Sequence, residues 1–255
     1  MPKTSGSQPV PHTGLRPVAA RLREAYARMR AHFGYQHWWP GETPFEVCVG
    51  AILTQNTAWS NVERAIGNLK QAAPLTPQAL WAMPPQQMAR LIRPAGYFNI
   101  KTQRLRAFLE VLVTQYGGNL QRLFTGDVAT VRARLLAIHG IGRETADSML
   151  LYAGGHLSFV VDAYTKRIFL RHGWWHPPRR QQRAGKTQTA EEYESLKALC
   201  ESALNHVPQK ERLDLWQDYH AQLVMVGKHY CTAREPRCAQ CPLRELLPRE
   251  GPLET

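Results

Sequence analysis

Near the C-terminus Cys231, Cys238 and Cys241 stand in the pattern Cys-x6-Cys-x2-Cys. Soft thiolates at this spacing bind an iron–sulfur cluster or zinc. Five cysteines in all, an odd count, make disulfides the poorer reading. Cys48 falls in an apolar helix and reads as core; Cys200 lies on an expected helix, at no regular spacing from the other three. A second candidate is Gly140-Ile141-Gly142. Glycines without side chains let a backbone turn come close to a ligand, and the N–H groups opening the following helix form an anion site that suits a phosphate. Asp162 follows the apolar Val160-Val161 and opens a basic helix, so its carboxylate can cap that helix or stand ready for chemistry. Lys166, four residues on, shares its helical face and can meet a phosphate or serve as an amine. Gln55 and Asn56 are small polar residues at a helix end, and Glu144 is an acid in the first turn of a helix.

The elements that must position these residues are helical. Apolar residues recur with helical spacing over Val18–Phe33, Phe45–Thr54, Ala58–Gln71, Pro77–Met83, Pro85–Ile92, Lys101–Tyr116 and Val128–Ile138, separated by Pro- and Gly-rich turns. The stretch Leu136-Ala137-Ile138-His139-Gly140-Ile141-Gly142-Arg143-Glu144-Thr145-Ala146 joins one such helix to another whose Ala146, Met149, Leu150 and Ala153 share a face. A helix, a glycine hairpin and a helix therefore precede Asp162. Helices resume at Ala190–His206 and Leu213–His229, while His172–Thr189, rich in Trp, Pro and basic residues, reads as an exposed loop.

Thirty-two Lys and Arg against 20 Asp and Glu give a net charge of +12, which asks for a polyanionic partner, nucleic acid first. Lys166, Arg167, Arg171, Arg179, Arg180, Arg183 and Lys186 fall in a segment, 163–190, without any acidic residue. No apolar run is long enough to span a membrane. Residues 1–12 read as a disordered tail on a cytoplasmic protein.

The hairpin stretch, followed by Phe159-Val160-Val161-Asp162-Ala163-Tyr164, resembles the helix-hairpin-helix DNA glycosylase superfamily, in the branch related to endonuclease III and including methylpurine glycosylases of the MagIII type. Ile52-Leu53-Thr54-Gln55-Asn56-Thr57 and Gly96-Tyr97-Phe98-Asn99-Ile100-Lys101 add to the likeness. The resemblance implies an all-α, two-lobed fold: a helical barrel over 44–154 ending in the hairpin, and a second lobe from 13–43 and 155–255 that carries a cysteine loop. It implies a monomer acting on duplex DNA with a damaged base, which is flipped out and cut from its sugar. Asp162 would stabilise the cationic sugar and orient water; Gly140, Gly142 and Lys166 would hold DNA; Gln55 or Asn56 would fill the gap left by the flipped base. Trp38, Trp39, Trp59, Tyr97, Tyr152 and Tyr164 are candidates to stack on it.

Two departures qualify the likeness. Bifunctional relatives carry a Schiff-base lysine eighteen residues before the aspartate, where this chain has Glu144, so a hydrolytic glycosylase without lyase activity is expected. Lyase chemistry through Lys166 and a DNA-binding relative without catalysis are the alternatives. Cys231, Cys238 and Cys241 match the first three ligands of the family's [4Fe–4S] loop, but Leu247 stands at the fourth, leaving that ligand open.

Overall fold

The computed structural model describes residues 15–178 and 189–253, and among these every regular element is a helix. The expected tail over residues 1–12 and Arg179, Arg180, Arg183 and Lys186 lie outside the described residues. The chain runs through α1 (Leu15–Phe33), α2 (Pro44–Leu53), α3 (Trp59–Ala72), α4 (Pro77–Ala82), α5 (Pro85–Leu91), α6 (Phe98–Tyr116), α7 (Leu120–Leu123), α8 (Val128–Leu136), α9 (Arg143–Ser148), a π-helical turn (Met149–Ala153), α10 (Ala163–Arg171), α11 (Ala190–Ala203) and α12 (Gln209–His229).

Most of these helices are too short to persist alone, so packing must hold them. α2 is the clearest case: Thr43 caps it and Phe45–Leu53 are all buried. Each fully buried aliphatic side chain contributes about 1.5–3 kcal/mol, well above the few tenths that helix propensity adds per residue. Ile52 and Leu53 of α2 meet Ile66 of α3, Leu105 and Phe108 of α6, and Leu150 in a first core. Leu22 and Met29 of α1 join Leu151, Phe159, Phe169 and Tyr219 in a second. Neighbouring residues of the π turn, Leu150 and Leu151, thus enter different cores.

A buried polar network ties the hairpin to α11. Asp147 of α9 accepts from Arg132 Nε at 2.8 Å, Ser158 Oγ at 2.6 Å and Tyr193 OH at 2.8 Å. Lys197 of α11 donates to the same Ser158 at 2.7 Å. Asp218 of α12 similarly holds the segment after α1: it accepts from Tyr26 OH at 2.8 Å, Arg30 at 3.1 Å and the Gln36 N–H at 2.9 Å.

One expectation fails. His172–Thr189 does not begin as an exposed loop, because His172, Trp174 and Trp175 are buried at 5%, 3% and 7% exposure. Gly173 turns the chain at φ +63°, after which Trp174 stacks on His172 and meets Phe169 edge to face. The Trp175 indole N–H donates to Ser195 of α11. Burying two indoles outweighs the polar composition around them.

Candidate active site and cysteine pocket

The hairpin is built around its glycines. Gly140 has φ +83°, and a Cβ there would lie 2.1 Å from Cγ of Arg104, so glycine is required both for the backbone and for the side chain folded over it. Gly142 is extended, caps α9 without a side chain and faces open space. Gln55, just past α2, braces this turn: its Nε2 donates to Gly140 O at 3.1 Å and Thr145 Oγ1 at 2.9 Å, and its Oε1 accepts from Arg104. Asn56 stands exposed beside it in a left-handed conformation, φ +54°. Buried Lys101 connects this tip with the turn before α6, donating to Leu53 O at 2.7 Å and Ala95 O at 2.8 Å. On that second turn Tyr97 is 69% exposed.

Asp162 is both a cap and more than a cap. Its Oδ1 accepts from the N–H of Thr165 at 2.7 Å and its hydroxyl at 2.8 Å, starting α10. Oδ2 has no such donor; the nearest partner is His220 Nε2 of α12 at 3.7 Å. Burial pushes this carboxyl up, but His220 and the Thr165 donors outweigh it and hold the group below the usual carboxylate range. His220 is itself aligned through Nδ1, 2.7 Å from the Tyr152 hydroxyl, and its buried Nε2 has no hydrogen bond. Tyr152, on the π turn, opens onto an aromatic cluster: Trp39 lies 5.4 Å from it, and Trp59 and Trp38 lie 5.3 and 5.6 Å from Trp39. The indole nitrogens of Trp38 and Trp39 are buried without partners.

Glu144 complements Asp162. In the first turn of α9, it combines solvent exposure with close packing around its carboxyl. That crowding and the Asp162 charge raise its carboxyl to about 7, an effect that solvent access tempers. Lys166 is engaged elsewhere, its ammonium 2.7 Å from Glu192 at the start of α11. A concavity of about 560 Å³ lined by Thr43, Gly118, Phe124 and Gly154 does not include Asp162.

Cys231, Cys238 and Cys241 line a single pocket at the end of α12, together with Arg171, His172 and Leu247. Arg171 donates to Cys231 Sγ at 3.3 Å and to the carbonyls of Thr232 and Ala233. Cys200 is fully buried in the second core and is not among the residues lining this pocket, and Cys48 is buried in the first core. Among the described residues no three His, Cys, Asp or Glu side chains converge on one ion position.

Residues 49–197, more than half of the chain, match the HhH-GPD superfamily of base excision DNA repair proteins. The chain belongs to this superfamily. It is 40% identical over 225 residues to the Methanocaldococcus jannaschii protein named "Putative DNA repair glycosylase MJ1434", covering 88% of this chain and 94% of that one. To endonuclease III of Thermotoga maritima it is 30% identical over 202 residues, 79% of this chain and 81% of the relative. A solved endonuclease III–DNA complex shares the fold with TM-score 0.70 at 22% identity, over 91% of this chain and 96% of that one. Helicobacter pylori 3-methyladenine DNA glycosylase (MagIII), bound to 1,N6-ethenoadenine, does so with TM-score 0.61 at 22% identity, over 84% and 97%.

Within this endonuclease III-like branch of helix-hairpin-helix glycosylases, the structure brings together residues that the sequence leaves apart. Trp38, Trp39, Trp59 and Tyr152 cluster together, with Tyr152 against His220, whereas Tyr97 and Tyr164 stand apart from them. His220 itself escapes sequence reasoning, since one histidine within α12 carries no motif. Tyr164 instead packs on Gly227 of α12, where a Cβ would lie 2.3 Å from its ring.

Proposed function

We propose that this protein is a monofunctional DNA glycosylase that removes N-alkylated, positively charged purines from duplex DNA. The observation that carries the reading is Asp162: buried, kept ionised, with Oδ1 held by Thr165 and Oδ2 left for the sugar. Departure of the base builds positive charge on the sugar, and a fixed carboxylate lowers that barrier. The same oxygen orients the attacking water.

The aromatic cluster supports the choice of base. Electron-rich indoles attract a cationic purine over their faces. A base already charged needs little protonation to leave. The absence of an amine at Glu144, and the capture of Lys166 by Glu192, support hydrolysis without a Schiff base.

For binding, the N–H groups after Gly140 and Gly142 suit a backbone phosphate. Asn56, exposed at its tip, suits the gap left by the flipped base, with Gln55 bracing from behind. The two hydrophobic cores support two lobes, 44–154 against 13–43 with 155–255, and duplex DNA crossing between them. The thiol chemistry of Cys231, Cys238 and Cys241 in one pocket fits an iron–sulfur cluster. Such a group would brace the loop after α12; none of the chemistry at Asp162 passes through it.

Purified protein should be offered duplexes carrying a single 3-methyladenine, 7-methylguanine, uracil or oxidised pyrimidine. Release of the methylated purines, with strands cut only after alkali, is the expected result. A covalent complex trapped by borohydride would make the enzyme bifunctional, and failure to release any base would leave a DNA-binding protein without catalysis.

A further inference from the structure

The cysteine pocket has a donor that the loop itself lacks. Leu247, at the position of the family's fourth cysteine, lines the pocket with an alkyl side chain and can ligate nothing. His172, the residue that closes α10, lines the same pocket. It is 5% exposed and stacks on Trp174 with ring centroids 4.3 Å apart and planes inclined by 28°. Its Nδ1 lies 3.3 Å from the carbonyl oxygen of Leu246. A carbonyl only accepts, so Nδ1 carries the hydrogen and the neutral ring keeps its lone pair on Nε2. A backbone carbonyl fixing the far nitrogen is how metal-ligating imidazoles are commonly oriented.

A [4Fe–4S] cluster takes one protein donor per iron, so four donors lining one pocket suit it. Arg171, one residue before His172, donates to Cys231 Sγ at 3.3 Å and so ties the end of α10 to the cysteine loop. Cys200, the remaining thiol in this half of the chain, is in the core and does not line the pocket.

We propose that His172 Nε2 is the fourth ligand of a cluster held by Cys231, Cys238 and Cys241, replacing the thiolate lost at Leu247. This rests on the cluster reading above. Three thiols lose their protons on binding, and the imidazole binds neutral, so the cluster carries one negative charge fewer than an all-cysteine one and is reduced more easily.

The test compares the wild type, His172→Ala, His172→Cys and the double variant His172→Ala with Leu247→Cys, all purified without oxygen, with helix content checked by circular dichroism. Iron and sulfide content, visible absorption, reduction potential and pulsed EPR of the reduced protein are read. The wild type should hold about four irons per chain and show the coupling of a directly bound nitrogen. His172→Ala should lose iron or fall to a three-iron form. His172→Cys and the double variant should regain the full iron content without nitrogen coupling and at a lower potential. A folded His172→Ala protein with wild-type iron and spectrum, or an iron-loaded wild type without nitrogen coupling, overturns the assignment of His172 alone. Zinc, or no metal, in the wild type sinks the cluster reading and this proposal with it.

Discussion

Asp162 caps α10 through one oxygen, and a single substitution separates that cap from the chemistry proposed for the other. Asparagine caps helices as well as aspartate does, so Asp162→Asn keeps the bond to Thr165 and the start of α10 while removing the charge. Single-turnover base release should fall by on the order of 10²-fold or more, with duplex affinity nearly unchanged. Wild-type release from the variant would take Asp162 out of the chemistry. Glu144 is the group expected to set the pH response. Its carboxyl, raised toward about 7 but tempered by solvent, gains its charge as pH rises toward that value. Asp162 is held low and stays ionised throughout. Base release should therefore climb severalfold as pH passes through 7, when a second negative charge comes to face the sugar cation. In Glu144→Gln that step should disappear from the pH–rate profile, and a profile unchanged by the substitution would show that Glu144 does not face the reacting sugar.

At the scale of elements, the hairpin works because other helices hold it. Arg104 of α6 packs over Gly140 and bonds Gln55, and Gln55 bonds back to Gly140 and Thr145. Gly140→Ala would strain a backbone at φ +83° and drive Arg104 away, releasing Gln55 as well. Duplex affinity, followed by fluorescence anisotropy, should weaken roughly tenfold, which corresponds to about 1.4 kcal/mol. The rate from the saturated complex should change far less. An equal loss in both would mean that the hairpin positions Asp162 and not the phosphate.

For the whole molecule, the decisive joint is the buried network on Asp147. It fastens the hairpin to α11 through Arg132, Ser158 and Tyr193, with Lys197 on the same serine. Asp147→Ala would leave the half-buried Arg132 and buried Lys197 without their shared counter-charge, a change that costs about 3–5 kcal/mol. Chemical denaturation should register that loss, and a value under 1 kcal/mol would show that Glu194, 2.8 Å from Arg132, and Glu201, 2.6 Å from Lys197, suffice to compensate. The net charge of +12 belongs to this scale too. Duplex affinity should fall linearly on a double-logarithmic plot against salt, and a flat plot would argue against phosphate contacts as its source.

The sequence by itself determined the helices, the glycine hairpin, Asp162 as the residue opening α10 and the incomplete cysteine pattern, because each is written in neighbouring residues. Periodicity, caps and turn glycines act over one or two turns of chain, so their record is local. Tertiary structure alone decided what these parts face. His220 reaches Asp162 from fifty-eight residues downstream, and Asp218 steadies the segment before Trp38 by accepting from Tyr26, 192 residues away. Trp174 entered the core against its polar surroundings because Phe169 and His172 offered it a surface. Lys166 shares the helical face expected of it, yet its charge is taken by Glu192 of a different helix. Pairings of this kind follow from which helices pack together, and a lone histidine or lysine on a helix carries no mark of the partner it will meet.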